Sequence, residues 1–123
     1  MKQINGLWYS NENVERLDYF KERGITFTDY QLQRYFSEER QTGKTFYSYC
    51  CFMERIEKDN LKEVYITLDK LKNNFNDVDL IKYNHHRNRI IFIEGFIKFL
   101  DKYYKDYTGT FKDDVLTVKK NII

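Results

Sequence analysis

Proline and alanine are both absent from the 123 residues of this chain. Alanine is normally among the commonest residues. Its place is taken by tyrosine (11) and phenylalanine (10), beside lysine, asparagine and isoleucine. Those five residues have A/T-rich codons, whereas alanine and proline have G/C-rich ones. The composition therefore points to a gene from a very A/T-rich bacterium, phage or plasmid, and to no particular activity. A core without alanine or proline fills its gaps with bulky side chains, which favours a thick layer of helix on sheet.

Cysteine is almost absent too. Cys50 and Cys51 are adjacent, and neighbouring side chains diverge on a helix and oppose each other on a strand, so a bond between them is strained. No disulfide framework follows, and a reducing, cytoplasmic setting in a bacterial host cell is expected. Apolar runs such as Ile90 to Ile93 are far too short to span a bilayer, and Met1 to Gly6 lacks the apolar stretch of a signal peptide. No membrane association is expected. Also missing are a phosphate-binding glycine loop, a CxxC pair, a nucleophile elbow and HExxH. No cofactor or metal is implied, and the balance leans away from an enzyme.

What is present is charge of both signs, with a net value of +2. Residues 1–60 carry 9 basic and 10 acidic side chains, and residues 61–123 carry 12 and 9. The basic excess gathers around Lys82 to Arg89 and at Lys119 and Lys120. With 41% hydrophobic residues, the chain is expected to fold as a single domain over 1–123.

Along the chain, Ser10 and Asn11 cap a helix over about 11–23 in which Val14, Leu17 and Phe20 share a face, and Gly24 ends it. Thr28 and Gln31 form a capping box for a second helix, with a break at Gly43. Thr45 opens a third, where Phe46, Tyr49, Cys50, Met53 and Ile56 recur at helical spacing, although a strand is the alternative. Residues 61–75 read as a short strand, Val64 to Thr67, followed by a helix capped at Thr67, with one helix spanning the whole segment as the alternative. Val78 and Leu80 then alternate with polar neighbours, a polar turn follows, and Arg89 to Ile93 is apolar on both faces. That pattern predicts a β-hairpin over about 78–93, ended by Gly95. Phe96 to Tyr107 predicts a C-terminal helix stopped near Gly109, and Phe111 to Val118 a closing strand over about 111–118, with Lys112-Asp113-Asp114 as a turn. The fold class is thus α+β: N-terminal helices packed with a small antiparallel sheet and a C-terminal helix.

The leading candidate site is the turn of the expected hairpin: Lys82, His85, His86, Arg87 and Arg89. These cations stand without an intervening carboxylate, and arginine makes paired planar hydrogen bonds to phosphate or carboxylate. The patch suits nucleic acid or an acidic protein groove; as a metal site it is poor, because adjacent imidazoles rarely converge on one ion. Asp77 and Asp79 with Lys82, or Glu94 with Lys98, can be set on the acidic-plus-lysine pattern of metal-dependent nucleases. The second and third helices offer Lys44, Tyr47, Ser48, Arg55 and Lys58 in a helix-turn-helix arrangement. In Lys102-Tyr103-Tyr104-Lys105, Tyr104 is the tyrosine expected to be exposed for base stacking.

Residues Arg89 to Lys98 resemble, over ten residues, the late strands of small mRNA-cleaving toxins from toxin–antitoxin modules, which implies catalytic side chains on a sheet. The helical first half and the near-neutral charge depart from that pattern, and no membership is assigned. The function expected first is a small non-enzymatic binding protein of a phage or other mobile element, inhibiting or regulating a host or defence protein by occupying its surface. A nucleic-acid-binding regulator comes second and a small nuclease or toxin third. A homodimer stays open.

Overall fold

The computed structural model describes residues 1–4, 6–36, 45–75 and 86–121. They form helices with small antiparallel sheets, the α+β class that the sequence implies. The chain divides into two compact units, Met1–Thr42 and Gly43–Ile123.

The first unit opens with a two-stranded ribbon, β1 (Lys2–Ile4) paired to β2 (Leu7–Tyr9), and Gly6 takes the positive φ of 85° that the reversal requires. Helix α1 (Asn11–Glu22) starts at Ser10, whose hydroxyl accepts from the Asn13 amide at 3.2 Å. It ends in a Schellman turn: Gly24 is left-handed, and the Ile25 amide reaches back to the Phe20 carbonyl at 2.9 Å. Helix α2 (Asp29–Phe36) begins with the reciprocal capping box, Thr28 amide to Gln31 and Gln31 amide to Thr28. Phe20, Phe27, Tyr35 and Phe36 meet edge to face between these helices, with the Arg16 guanidinium over Phe20 and Phe36. The Asn13 amide group donates to the Phe36 carbonyl at 2.7 Å, which satisfies one of the last carbonyls of α2.

The second unit begins with α3 (Thr45–Lys58), so the aromatic-rich segment is helix rather than strand. Asn60, at φ 54°, closes it in another Schellman turn. Strand β3 (Glu63–Thr67), a 3-10 turn (Leu68–Lys70) and the short α4 (Leu71–Asn74) follow, as the strand-then-helix reading of 61–75 expects. Thr67 stands at the turn's N-cap position but makes no side-chain capping bond. Helix α5 (His86–Tyr103) leads to a hairpin, β4 (Tyr107–Lys112) and β5 (Val115–Lys120), around Asp113 and Asp114. The sheet order is β3-β5-β4, all antiparallel.

The hairpin expected over 78–93 needs correction. Its first half lies outside the described residues; its second half, from His86, is the start of α5. Phe92, Ile93, Phe96, Phe99 and Leu100 are buried at spacings of one, three, three and one, which is one continuous helical face running through Gly95. Ile91, in the middle of the supposed covered strand, is 53% exposed. The likeness of 89–98 to toxin strands falls with the same observation. The C-terminal helix starts earlier than expected and stops at Tyr103, and Tyr107 belongs to β4.

The core of this unit is aromatic. Phe75 stacks on Phe52 with ring centres 4.3 Å apart and meets Tyr49, Phe92 and Phe96 edge-on. Helix α3 therefore packs on α5, and α5 packs on β4, where Gly109 lets Leu100 and Ile97 approach the strand. The sheet face towards the core carries Val64, Ile66, Tyr107, Gly109, Leu116 and Val118, and the alternate residues point the other way.

Candidate functional site

Five residues formed the candidate patch. Lys82 and His85 lie outside the described residues. His86, Arg87 and Arg89 occupy the first turn of α5 instead of a hairpin tip. His86 Nε2 stands 3.6 Å from a carboxylate oxygen of Asp114, and both side chains are solvent-exposed. Arg89 is half-buried and directs Nη1 to the Leu68 carbonyl at 3.4 Å. The Leu68 amide in turn donates to the Asp114 carbonyl at 2.9 Å. These contacts fasten the start of α5 to the β4–β5 turn and the end of β3. Arg87 is exposed.

The other sequence candidates are placed as follows. Asp77, Asp79 and Lys44 lie outside the described residues. Glu94 and Lys98 sit one turn apart on the exposed side of α5, not at strand ends. Among the described residues no group of three or more His, Cys, Asp or Glu could hold a metal ion. Tyr47 and Ser48 are buried at 4% and 1% exposure, so α3 does not offer them to a DNA groove. Arg55 leans over the Phe52 ring and donates to the Asn74 carbonyl at 3.2 Å. Tyr104, expected to be the exposed stacking residue, has no exposed surface at all. Its position just past α5 turns it inward against Phe99 and Tyr107. Cys50 is buried and Cys51 half-buried, and neither forms a disulfide. No helix among the described residues is long and apolar enough to cross a membrane.

A different surface collects polar chemistry: the open face of the β3-β5-β4 sheet. The register sets Tyr65, Thr117 and Thr110 in one cross-strand row, and Glu63, Lys119 and Thr108 in the next. Thr67, Val115 and Lys112 form a third row. Tyr65 is 63% exposed, the largest aromatic surface on this sheet. Beside it runs a groove of about 350 Å³ lined by Thr108, Thr110, Thr117, Lys119, Lys120 and Asn121. Its lining is more apolar than polar; Thr108, Thr110, Thr117 and Lys119 stand on this face, whereas Lys120 shares the core-facing side with Val118 and sets its ammonium 6.0 Å from the centre of the Tyr107 ring.

The groove's end is held in shape by backbone bonds. Lys120 donates its amide to the Lys62 carbonyl, and Asn121 to the Asp106 carbonyl, both at 2.8 Å. The Asn121 side chain accepts from the Thr108 hydroxyl at 2.5 Å and donates to the Lys105 carbonyl at 3.0 Å. Four lysines, 62, 105, 119 and 120, thus gather at one end of the sheet, while Asp113 and Asp114 form the turn at the other. Glu63 tempers the basic end: its carboxylate accepts from the Tyr65 hydroxyl and lies 3.7 Å from the Lys119 ammonium. The bond to Glu63 raises the Tyr65 phenol above its ordinary value, with smaller contributions from desolvation and the carboxylate's charge.

A period-two pattern in the sequence carried this face. Thr108, Thr110, Thr117 and Lys119 alternate with Tyr107, Gly109, Leu116 and Val118. The signal is missed when Tyr107 is assigned to the preceding helix. No family model matches the chain, and no curated protein or solved structure matches it either.

Proposed function

We propose that the chain is a small non-enzymatic binding protein that acts by occupying a surface of its partner. One observation carries this reading: among the described residues the sheet leaves one face open, with exposed Tyr65 beside a threonine- and lysine-lined groove. An exposed tyrosine with a rim of polar side chains is the composition of an interface anchor. The partner expected first is a protein of a bacterial host or of its defence systems, with the chain acting as inhibitor or regulator from a phage or other mobile element. The first-turn cations of α5, His86 and Arg87, supply a second contact within this proposal.

A nucleic-acid partner is the second reading, and the clustering of lysines at the groove end favours it. Capture on the immobilised chain from a lysate of an A/T-rich bacterium, with and without nuclease treatment, separates the two. The expected result is a stoichiometric partner that is lost with Tyr65→Ala. Capture unaffected by Tyr65→Ala, or no capture at all, overturns the assignment to this face.

A further inference from the structure

The geometry points to a single-stranded nucleic acid as the ligand of the open sheet face, its phosphates in the groove at the lysine end and a base against Tyr65. The inference rests on the binding role proposed above, takes the second of its two partner readings, and names the chemistry of that partner. The sheet is polarised along its strands. Lys62, Lys105, Lys119 and Lys120 mark one end, and the Asp113–Asp114 turn marks the other. The four lysines of the first end outnumber its carboxylates, Glu63 and Asp106, so that end fits an anion lying across the strands near Lys119.

Thr110, Thr117 and Lys119 stand on this face, and their two hydroxyls and one ammonium are donors that suit phosphate oxygens. Tyr65 shares its cross-strand row with Thr117 and Thr110, and its strand lies about 4.8 Å, one strand spacing, from β5. An exposed ring adjoining phosphate donors serves an unstacked base, since every base has a face to stack and a duplex hides it. Glu63 opposes the ligand. It repels phosphate, shares the Lys119 ammonium and holds the Tyr65 hydroxyl. Its removal therefore strengthens binding, a sign that a merely structural Glu63 would not produce.

Fluorescence anisotropy of the full chain with labelled oligo(dT) and oligo(U) of about 12 nucleotides tests this. Binding should weaken with salt. Tyr65→Ala should lose about tenfold or more in affinity while Tyr65→Phe keeps it, because the ring and not the hydroxyl stacks. Lys119→Ala should lower the slope of log affinity against log salt by about 0.7, the value for one phosphate contact on a single strand, and Lys120→Ala, on the core-facing side, should leave the slope nearly unchanged. Glu63→Gln should bind more tightly than the parent. Circular dichroism of each variant confirms retained folding. Absence of binding at low salt, equal affinity of Tyr65→Ala and parent, or preference for duplex over single strand overturns the inference. Should the oligonucleotides fail while a protein from the nuclease-treated lysate is held by the parent and released by Tyr65→Ala, the binding role survives and this ligand does not. Failure of both removes both.

Discussion

The hydroxyl of Tyr49 occupies the space that a side chain at Gly95 would need: a Cβ built on Gly95 would stand 2.8 Å from it. That hydroxyl donates at 2.6 Å to the Phe92 carbonyl, one turn earlier on α5, so the two helices lock through a glycine gap. Gly95→Ala should gain helix propensity yet destabilise the protein by about 1–3 kcal/mol through overpacking. Tyr49→Phe alone should cost about 1 kcal/mol for the lost bond. Without the hydroxyl the next ring atom is 3.7 Å from that Cβ, an ordinary contact. The double variant should then be no less stable than Tyr49→Phe. Urea denaturation of the three variants checks the cycle, and strict additivity would remove the steric account.

Gly109 makes the second close approach. A Cβ there would meet the side chains of Leu100 at 2.8 Å and Ile97 at 3.3 Å, and Leu100 is fully buried, so its side chain has little room to give. Gly109→Val, although a better strand former, should lower stability by about 1–3 kcal/mol. A thermal melt equal to or above the parent's would contradict the helix-on-strand contact.

The β4–β5 turn carries Asp113 and Asp114 at φ 52° and 60°, a left-handed pair that aspartate tolerates less well than Asn-Gly. Asp113→Asn/Asp114→Gly should raise stability by about 1 kcal/mol. The exposed contact between Asp114 and His86 is lost in this variant and offsets little, as surface pairs contribute little. Denaturant midpoints decide the sign.

Tyr65 should titrate above the usual tyrosine value of about 10, chiefly because its hydroxyl is bonded to Glu63. A phenol raised on folding contributes stability that is present below the unfolded value and lost as pH rises through the folded one. The loss should therefore appear only in the alkaline window above about pH 10. NMR of ring-labelled tyrosine should show the Tyr65 signal moving down towards the ordinary value in Glu63→Gln, and an unmoved signal would break the link.

Local chemistry was legible wherever short-range rules govern it. Ser10, the Thr28–Gln31 box and Gly24 placed the limits of α1 and the start of α2, because capping and left-handed turns depend on a few adjacent residues. The helical spacing of Phe46 to Ile56 and the strand preference of Val64 to Thr67 likewise announced α3 and β3, and with them the α+β class. The open sheet face was half legible, as alternation in 107–119, but nothing local said that Tyr65 would stand in the same row as Thr117 and Thr110.

Only the tertiary structure decided Arg89 to Ile93. Ile90, Ile91 and Ile93 favour a strand by their branching, and Gly95 looks like its end. The helix prevails because Phe92, Ile93, Phe96, Phe99 and Leu100 can bury together only at a helical period, against α3 on one side and β4 on the other. Gly95 then serves as the gap that receives Tyr49, a residue 46 positions away. A glycine that ends an element and one that admits a neighbour are identical in sequence. The distinction lies in what packs against them, and that is set by contacts far apart along the chain.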